Sequence, residues 1–542
     1  MEPVELSAIV EHLGARWHGG AGDPRPPAHA LVAEVSTDSR NLKGRPIFIA
    51  LRGENFDGHR FVPEARRRGA VACVVAETDL PHLPSDGGPY LVVDDPLVGM
   101  ERLAKWNRDR IQPRVVAVTG SVGKTSTKEF LGTILSERFQ TTVAPKSYNN
   151  RIGVATTLLA AGRDTEVLVT ELGTSGPGEI SHLSRIVRPD SIVVTEIAPT
   201  HLQGLRDLEG VLEAKAEIFD GLDATGRAYL RAGLFGYDQL ADRAPGRVRT
   251  FGWGAGDYAI TDCQRVSLGD SRSTSGSKAY GYHFTLNDKE NLLVPVPGKH
   301  NVVNATAAIS VAHDMGMSFS EIRSGMAICR LPPLRLEVVE VRGILFVNDS
   351  YNASPRSMQA AIEEWEELGT SETIRGRWNG SEAYVAAQSG NGVDANDGTS
   401  HGEDSECGGI AVLGDMLELG DESCQLHEEL GRRLTRTTLR LLVTIGQDSA
   451  CIGGGYRCAG GAAESVHFEN AVEAIPFLRS SLRRGDHVLL KGSRKTGLDR
   501  VCKDLHRWVN VHGEIHSGGA SSESLDARLS LNSRGNRQRH NA

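Results

Sequence analysis

The 542-residue sequence has no apolar run near the roughly 20 residues that a helix needs to cross a bilayer. Its start, Met-Glu-Pro-Val-Glu-Leu, has neither the basic first part nor the apolar stretch of a secretory signal. Its eight cysteines include no Cys-x-x-Cys pair, so we expect reduced thiols rather than a metal or redox motif. These absences predict a cytoplasmic chain that does not insert into membranes.

The sequence also has few aromatic residues, 5%, and no basic stripe that could neutralise a nucleic-acid backbone. Its formal net charge of −9 argues against a nucleic-acid partner. Hydrophobic residues make up 39% of the chain, and strand-like and helix-like patterns alternate along it. Length and pattern together predict an α/β protein of about three domains.

A glycine-rich turn between a predicted strand and a predicted helix is the clearest functional signal. The β-branched stretch 115–118 predicts a buried parallel strand, and a helix pattern begins at Thr125. Between them, Gly120 and Gly123 would let backbone N–H groups approach phosphate oxygens at the positive end of the helix. We expect Lys124 at the β- and γ-phosphates of a nucleotide and the Thr125 hydroxyl on Mg²⁺.

This motif is a shortened variant of the phosphate loop, because Val118 occupies the position of its first glycine. The alternative is a glycine turn with an exposed lysine, but the flanking strand and helix favour phosphate binding. The predicted ATP-binding residues of this loop are Gly120, Ser121, Val122, Gly123, Lys124, Thr125 and Ser126.

Three further polar residues follow apolar segments of the same region. Glu171 ends a buried strand, where Mg²⁺ is usually held beside a phosphate loop, although it could cap a helix instead. His201 follows the next strand and is either a structural histidine or a metal ligand. Lys215 lies in a helix pattern between glutamates, which by itself predicts an exposed lysine in a salt bridge.

Composition divides the chain into three predicted domains and two polar segments. We expect a small N-terminal α/β domain at 1–111, a nucleotide domain at 112–331 and a third α/β domain at 332–511. The Ser-, Gly-, Asn- and acid-rich segment 371–408 is predicted to be a disordered insertion in the third domain. The polar end of the chain, 512–542, is predicted to be a disordered tail.

In the N-terminal domain, the segment Asp38, Ser39 and Arg40 follows an apolar strand, where ligands of α/β sheets commonly bind. A turn with a surface ion pair is the simpler interpretation of Asp-Ser-Arg. Residues alone leave the ligand of this domain open.

Taken together, the motifs of the chain resemble the Mur ligase family over roughly residues 30–510, without the 371–408 segment. Within that family, the segments Asp-Ser-Tyr-Asn-Ala, Gly-Asp-Met-Leu-Glu-Leu-Gly and Lys-Gly-Ser-Arg resemble the members that add D-alanyl-D-alanine. The matching segments are 119–126, 148–153, 171–173, 200–202, 213–218, 298–304, 334–335, 348–355, 413–420 and 491–494.

The resemblance implies a fold of three domains, with a P-loop-type central domain on a parallel sheet and a Rossmann-like C-terminal domain. It implies an ATP-dependent amide ligase acting in the last cytoplasmic step of peptidoglycan precursor synthesis. ATP would phosphorylate the terminal carboxylate of UDP-N-acetylmuramoyl-tripeptide, and the amine of D-alanyl-D-alanine would attack the acyl phosphate. Phosphorylation gives a poorly electrophilic carboxylate a leaving group, while cations neutralise the developing charge. We expect a monomer, although the sequence does not give the oligomeric state.

The resemblance assigns further roles by position. Lys124, His201 and Lys215 would be catalytic, and Thr125, Glu171, His201 and Lys215 would hold two Mg²⁺ ions. Lys215 would be carbamylated, which requires a neutral amine and therefore a buried side chain. The residues expected near ATP are Asn301, Asn304, Arg335 and Asp349. Those expected at the UDP end are Asp38, Ser39 and Arg40, and those expected near the dipeptide are Tyr351, Asn352, Lys491, Ser493 and Arg494.

The chain departs from the family pattern at Asn348, Ser354, Lys495 and Thr496, which affects fine contacts more than reaction type. Two alternatives remain. One is a family member that adds residue three of the peptide, although the Asp-Asn-Pro-Arg motif of those that take diaminopimelate is absent from the sequence. The other is a non-catalytic nucleotide-switch module. The sequence does not decide whether residue three of the substrate is diaminopimelate or lysine.

Overall fold

Three large β-sheets with flanking helices organise the computed structural model, which describes residues 2–19, 29–53, 56–84, 88–268, 280–370 and 408–512. The predicted α/β class with parallel sheets is confirmed. The predicted insertion and tail lie outside the described residues, except for Gly408 and His512. The domain limits stay a prediction.

The first sheet has five strands, of which four run parallel. In spatial order they are Arg16–His18, Tyr90–Val93, Ala72–Ala76, Pro46–Ile49 and Glu34–Ser36. Two short pairs add Val4–Glu5 with Leu31–Val32 and Arg52–Gly53 with Phe56–Asp57. The helices of this part are Leu6–Leu13, Val62–Arg67 and Pro96–Ile111, with 3₁₀ turns at Gly58–Phe61 and Glu77–His82.

The second sheet has nine strands, the first seven parallel and the last two antiparallel. In spatial order they are Thr141–Val143, Val167–Glu171, Arg114–Thr119, Ser191–Val194, Arg227–Arg231, Arg247–Trp253, Tyr258–Ser267, Tyr280–Leu286 and Glu290–Val294. Its helices are Lys124–Leu135, Arg151–Ala160, Glu179–Val187, Leu202–Leu205, Leu208–Ala216, Tyr237–Arg243, Lys299–Asp314 and Phe319–Ala327, with a 3₁₀ turn at Glu217–Gly221.

The strand that leads into the phosphate loop is buried on both faces of this sheet. Val115 and Ala117 belong to one hydrophobic core, and Val116 and Val118 belong to another. Alternate residues of a strand point to opposite faces, so this apolar run fits a central parallel strand covered by helices on both sides. The strand therefore fixes the start of the loop rigidly.

The third sheet has six strands, five of them parallel. In spatial order they are Glu337–Val341, Ile344–Asn348, His487–Lys491, Gly409–Gly414, Leu439–Ile445 and Glu464–Phe468. Its helices are Pro355–Thr370, Ser423–Leu434, Ala450–Cys458, Ala471–Ser481 and Leu498–Val511, with 3₁₀ turns at Gly420–Glu422 and Arg494–Thr496.

Cys424 and Cys451 form a disulfide in this third domain, with Cα atoms 5.6 Å apart. The prediction of reduced thiols is therefore wrong for this pair. The two residues are 27 positions apart and lie on different helices, so linear spacing gives no sign that packing brings them together. Every helix in the described ranges is too short or too polar to cross a bilayer.

Candidate functional site

The phosphate loop has the backbone geometry that its glycines require. Gly120 and Gly123 have φ values of +142° and +86°, which L side chains rarely adopt. A Cβ at Gly120 would lie 2.1 Å from Thr195 Oγ1, and one at Gly123 would lie 2.6 Å from Asn304 Oδ1. The helix begins at Lys124 directly after this turn. The loop thus combines bare backbone with a helix N-terminus, as an anion site needs.

Lys124 folds back over the loop. Its Nζ donates to Gly120 O at 2.7 Å and to Ser121 O at 3.3 Å. Burial lowers the pKa of Lys124, while the nearby Glu171 carboxylate opposes that shift. The ammonium therefore lies where a phosphate could replace backbone carbonyls as its partner.

Thr125 connects the loop to two other segments. Its Oγ1 lies 3.2 Å from Ser147 Oγ and accepts a hydrogen bond from Arg335 Nη2 at 3.1 Å. Arg335 also places its guanidinium carbon 4.5 Å from the ring centre of Tyr351. The segment that enters the third domain thus reaches the phosphate loop directly.

Glu171 carries a buried carboxylate oxygen that is open to a cation. The side chain is fully buried at the end of strand Val167–Glu171, and Oε1 accepts from Asn149 Nδ2 at 2.7 Å. Among the described residues, Oε2 has no hydrogen-bond partner. Burying a carboxylate oxygen without a partner costs free energy, and a hard divalent cation would be a suitable partner. The residues present therefore fit the predicted Mg²⁺.

His201 lies at the contact between the second and third domains. Its backbone is left-handed, with φ +55°, directly before helix Leu202–Leu205. Its Nδ1 hydrogen-bonds the Glu418 carboxylate from the third domain. Burial lowers the pKa of His201, with the Glu418 bond opposing the shift. A neutral ring that donates from Nδ1 leaves Nε2 as an acceptor, which is the form that binds metals.

Lys215 is buried, with 1% of its surface exposed, in helix Leu208–Ala216. The pattern-based expectation of an exposed helix lysine is wrong, and the burial expected from the family resemblance is confirmed. Burial, and next the positive charge of Lys124, lowers the pKa of Lys215 well below its usual value. The carboxylates of Glu179 and Glu217 oppose this shift, although neither forms an ion pair with Lys215. Lys215 is not among the residues lining the cleft.

An ion pair between Lys491 and Asp349 lies on the third-domain side of the site. Lys491 Nζ donates to Asp349 Oδ2 at 2.6 Å and to Asn352 O at 3.1 Å. Asp349 Oδ1 accepts from Leu336 N at 3.2 Å, next to Arg335 in sequence. This carboxylate therefore holds the segment that carries Arg335 to the phosphate loop.

One cleft of about 650 Å³ lies between the second and third domains. It brings together all the predicted ATP and dipeptide residues except Gly120, and three of the four predicted metal residues, Lys215 being the exception. The predicted residues on its wall are Ser121, Val122, Gly123, Lys124, Thr125, Ser126, Glu171, His201, Asn301, Asn304, Arg335, Asp349, Tyr351, Asn352, Lys491, Ser493 and Arg494.

Asn301 and Asn304, which are expected near ATP, are held by hydrogen bonds to each other and to the backbone. Asn301 Nδ2 donates to Pro297 O at 2.7 Å, and Asn304 Nδ2 donates to Asn301 Oδ1 at 3.1 Å. Both asparagines are buried at the start of helix Lys299–Asp314. They form a fixed amide surface beside Gly123.

Several cleft residues were not predicted as site residues. Asn149 and Glu418 lie in two of the segments that match the family, 148–153 and 413–420, so their positions could have indicated both. Glu196, Arg231 and Trp253 lie at strand ends, and no local pattern distinguishes them. The further unpredicted wall residues include Ser147, Lys299, Arg356 and Lys495.

The segment expected at the UDP end does not reach this cleft. Arg40 Nε donates to Asp38 Oδ1 at 2.9 Å, and the Arg40 side chain is 80% exposed. Ser39 Oγ donates to Glu64 Oε2 at 3.2 Å. The geometry is the turn with a surface ion pair that the residues alone suggest.

A second group of possible metal ligands, Asp57, His59 and Asp79, lies in the N-terminal domain. Both ring nitrogens of His59 are already used, because Nδ1 bonds Asp57 Oδ1 at 2.8 Å and Nε2 accepts from Ala76 N at 3.1 Å. Arg52 Nη2 donates to Asp79 Oδ1 at 2.5 Å. Because these side chains already have protein partners, we interpret the group as structural and not as a metal site.

Three segments of the chain match domain patterns of one family. Residues 31–106 match the catalytic domain of the Mur ligase family, residues 118–312 the Mur ligase middle domain and residues 403–494 the glutamate ligase domain.

Sequence relatives match nearly the whole chain. The UDP-N-acetylmuramoyl-tripeptide–D-alanyl-D-alanine ligase of Bacillus subtilis is 34% identical over 504 residues, which is 92% of this chain and 98% of the relative. The Escherichia coli protein of the same name is 30% identical over 523 residues, or 93% and 99% of the two chains.

Solved structures show the same architecture. MurF from Acinetobacter baumannii superposes with a TM-score of 0.74 at 28% identity, covering 94% of this chain and 99% of that one. The MurF ligase from Thermotoga maritima in complex with ADP has a TM-score of 0.67 at 24% identity, covering 88% and 98%, and supports the fold.

Proposed function

The chain belongs to the Mur ligase family, and we propose that it joins D-alanyl-D-alanine to UDP-N-acetylmuramoyl-tripeptide with ATP. The observation that carries this function is the single cleft in which the phosphate loop, Glu171 and the third-domain residues Asp349 and Lys491 face each other. A ligase needs such a site, because nucleotide, acid and amine must meet with water excluded.

The reaction proceeds in two transfers. The terminal carboxylate of the tripeptide attacks the γ-phosphorus of ATP, which forms an acyl phosphate and releases ADP. The amine of D-alanyl-D-alanine then attacks the acyl carbon, the C–O bond to phosphate breaks, and the amine loses a proton. The products are the amide, ADP and inorganic phosphate.

The phosphate loop holds the nucleotide in this proposal. Backbone N–H groups from Val122 to Thr125 and the ammonium of Lys124 cradle the phosphates, and Lys124 neutralises the charge that develops on the transferred group. Asn301 and Asn304 contact the adenine end. Arg335, which donates to Thr125 Oγ1, and Asp349, which accepts from Leu336 N, add third-domain contacts to ATP.

Thr125, Glu171 and His201 are the residues that would hold Mg²⁺. Glu171 Oε2, which has no hydrogen-bond partner within the described part of the chain, and the lowered pKa of His201 support this assignment. When bound, the ion supplies positive charge against the phosphate oxygens.

We further propose that Lys215 carries a carbamate. Its neutral amine would attack the carbon of CO₂ and lose a proton, which yields an anionic carboxylate that can serve as a ligand for a second ion. Deep burial and the absence of an ion-pair partner in the described ranges support a neutral amine.

The remaining substrate contacts rest on position. Tyr351, Asn352, Ser493 and Arg494 line the third-domain wall of the cleft, so they contact the dipeptide. Asp38, Ser39 and Arg40 hold the UDP end; the exposed guanidinium of Arg40 is paired with Asp38, and a phosphate would compete with that carboxylate for it.

Phosphate release from ATP tests this function. It is measured with UDP-N-acetylmuramoyl-tripeptide, with and without D-alanyl-D-alanine, for the wild type and for Lys124→Ala. Release that needs both substrates and is lost in the variant supports the function. Release that follows another amino acid instead would move the chain to residue-three addition. Release that needs no acceptor would favour a nucleotide switch.

A further inference from the structure

Lys128 is a buried charged residue that the proposed reaction does not use. It lies one helical turn after Lys124, and none of its surface is exposed. A lysine ammonium has three protons to donate, and burying it without partners is costly. Its contacts therefore indicate what it is for.

The ammonium of Lys128 has three partners. It donates to Ala144 O at 2.5 Å and also to Lys146 O, and it lies 2.8 Å from Glu129 Oε1. Two of the three acceptors are backbone carbonyls of one short segment, residues 144–149, which we call the Ser147 loop. Lys128 is thus a side-chain support for that loop.

Backbone hydrogen bonds hold the two ends of the Ser147 loop and one turn inside it, since Ala144 N donates to Val169 O, Gly173 N to Asn149 O and Tyr148 N to Pro145 O. Pro145, Lys146 and Tyr148 are exposed, so apolar packing does not fix them. Lys146 has a φ of +51°, which a residue with a Cβ adopts only at a cost. The hydrogen bond from Lys128 to the carbonyl of this same residue stabilises that conformation.

Two side chains of the Ser147 loop reach the nucleotide site. Ser147 Oγ lies 3.2 Å from Thr125 Oγ1, and Asn149 Nδ2 donates to Glu171 Oε1 at 2.7 Å. The hydrogen bond from Asn149 occupies Oε1 of the carboxylate. Because it fixes the carboxylate plane, it also fixes the position of the other oxygen, Oε2. A change in the loop would move both contacts together.

We propose that Lys128 is a positioning residue: its ammonium sets the Ser147 loop, and the loop in turn orients Thr125 and Glu171 for a magnesium nucleotide. This inference rests on the proposed nucleotide site and not on the identity of the amide product. Lys128 touches neither substrate nor ion, so it acts only through Ser147 and Asn149.

The test compares Lys128→Met, which keeps much of the side-chain volume but has no donor, with the wild type. Hydrogen exchange should speed up at the amides of 146–149. Calorimetry should show that ADP binding without Mg²⁺ is unchanged, while the gain in affinity on adding Mg²⁺ falls by about 10- to 100-fold, as for lost supports of metal ligands. The KM for D-alanyl-D-alanine should not change.

Two controls separate positioning from general destabilisation. Glu129→Gln keeps both carbonyl bonds of Lys128 and should leave the Mg²⁺ gain intact, as should Lys105→Met on an exposed helix position. Asn149→Ala should reduce the gain by itself, and adding Lys128→Met to it should reduce the gain little further. If Lys128→Met does not fold, Lys128→Gln, a shorter neutral donor, should give an intermediate loss.

An unchanged Mg²⁺ gain in a folded Lys128→Met or Lys128→Gln protein would overturn the inference, as would full additivity with Asn149→Ala. Hydrogen exchange and calorimetry with ADP need neither the tripeptide nor the dipeptide substrate. A chain that binds magnesium nucleotide but makes no amide would therefore contradict the proposed function and leave the role of Lys128 standing.

Discussion

The imidazole of His201 in the second domain and the carboxylate of Glu418 in the third domain form a hydrogen bond across the cleft. The two side chains are 31% and 51% exposed, so the pair adds little to stability. We expect the pair to act through orientation, because a carboxylate on Nδ1 fixes the ring and leaves Nε2 as the acceptor. The third domain thus supplies the group that orients the histidine proposed as a metal ligand in the second.

We predict that Glu418→Gln raises the Mg²⁺ concentration for half-maximal ligase activity about tenfold and leaves the melting temperature nearly unchanged. His201→Ala should cost more than Glu418→Gln, because it removes the ligand itself. Activity titrated with Mg²⁺ measures both. Equal Mg²⁺ requirements for Glu418→Gln and wild type would show that the contact has no role in orientation.

Lys215→Met should reduce ligase activity at least about 100-fold, because a methionine cannot become an anionic ligand. With isotopically labelled CO₂, the wild type should show a carbamate carbon signal that the variant lacks. Since Met is neutral and of similar length, the variant should keep its melting temperature. A wild-type protein without the carbamate signal would refute the modification even if the variant were inactive.

The stacking of Arg335 on Tyr351 should matter through the ring and not through the hydroxyl. We expect Tyr351→Ala to raise the KM for ATP or for the dipeptide about tenfold, in line with a partly buried cation–π contact. Tyr351→Phe keeps the ring and should leave both KM values unchanged. Steady-state kinetics with each substrate varied decides which KM moves. A rise for ATP supports the link through Arg335 to Thr125, and a rise for the dipeptide supports direct contact. Phe as harmful as Ala would contradict the stacking role.

Glu364 should make stability fall as pH rises. It is 3% exposed, accepts from Tyr282 Oη at 2.6 Å, and burial raises its pKa above the usual 4.5. The folded chain therefore holds this proton to a higher pH than the unfolded chain does, so stability is lost as pH rises through the folded pKa. Glu364→Gln removes the titration. The variant should gain a few degrees in melting temperature over wild type at about pH 8 and less at about pH 5. The opposite trend would contradict the raised pKa.

Local sequence predicted the phosphate loop well because strand, glycines, lysine and helix start are contiguous. Glu171 was predicted from the strand it ends, and its burial follows from that strand's central place in the sheet. The charged residues around Lys215 predicted an exposed side chain, which is wrong because this helix is buried on most sides. Only the family resemblance indicated a buried lysine.

Contacts between residues that are distant in the sequence were harder to predict. Trp253, Glu196 and Arg231 reach the cleft only because parallel strands end at one edge, and Glu418 reaches His201 only because two domains meet. The Cys424–Cys451 bond depends in the same way on helix packing. No sequence pattern encodes these meetings locally.

The central claim is that ATP activates the tripeptide carboxylate, and an oxygen label tests it most directly. UDP-N-acetylmuramoyl-tripeptide is prepared with heavy oxygen in its terminal carboxylate and turned over with ATP and D-alanyl-D-alanine. An acyl phosphate route places one labelled oxygen in the released phosphate, because the carboxylate oxygen leaves with phosphorus when the amide forms. We predict labelled phosphate in step with amide. Unlabelled phosphate alongside normal amide would contradict the account.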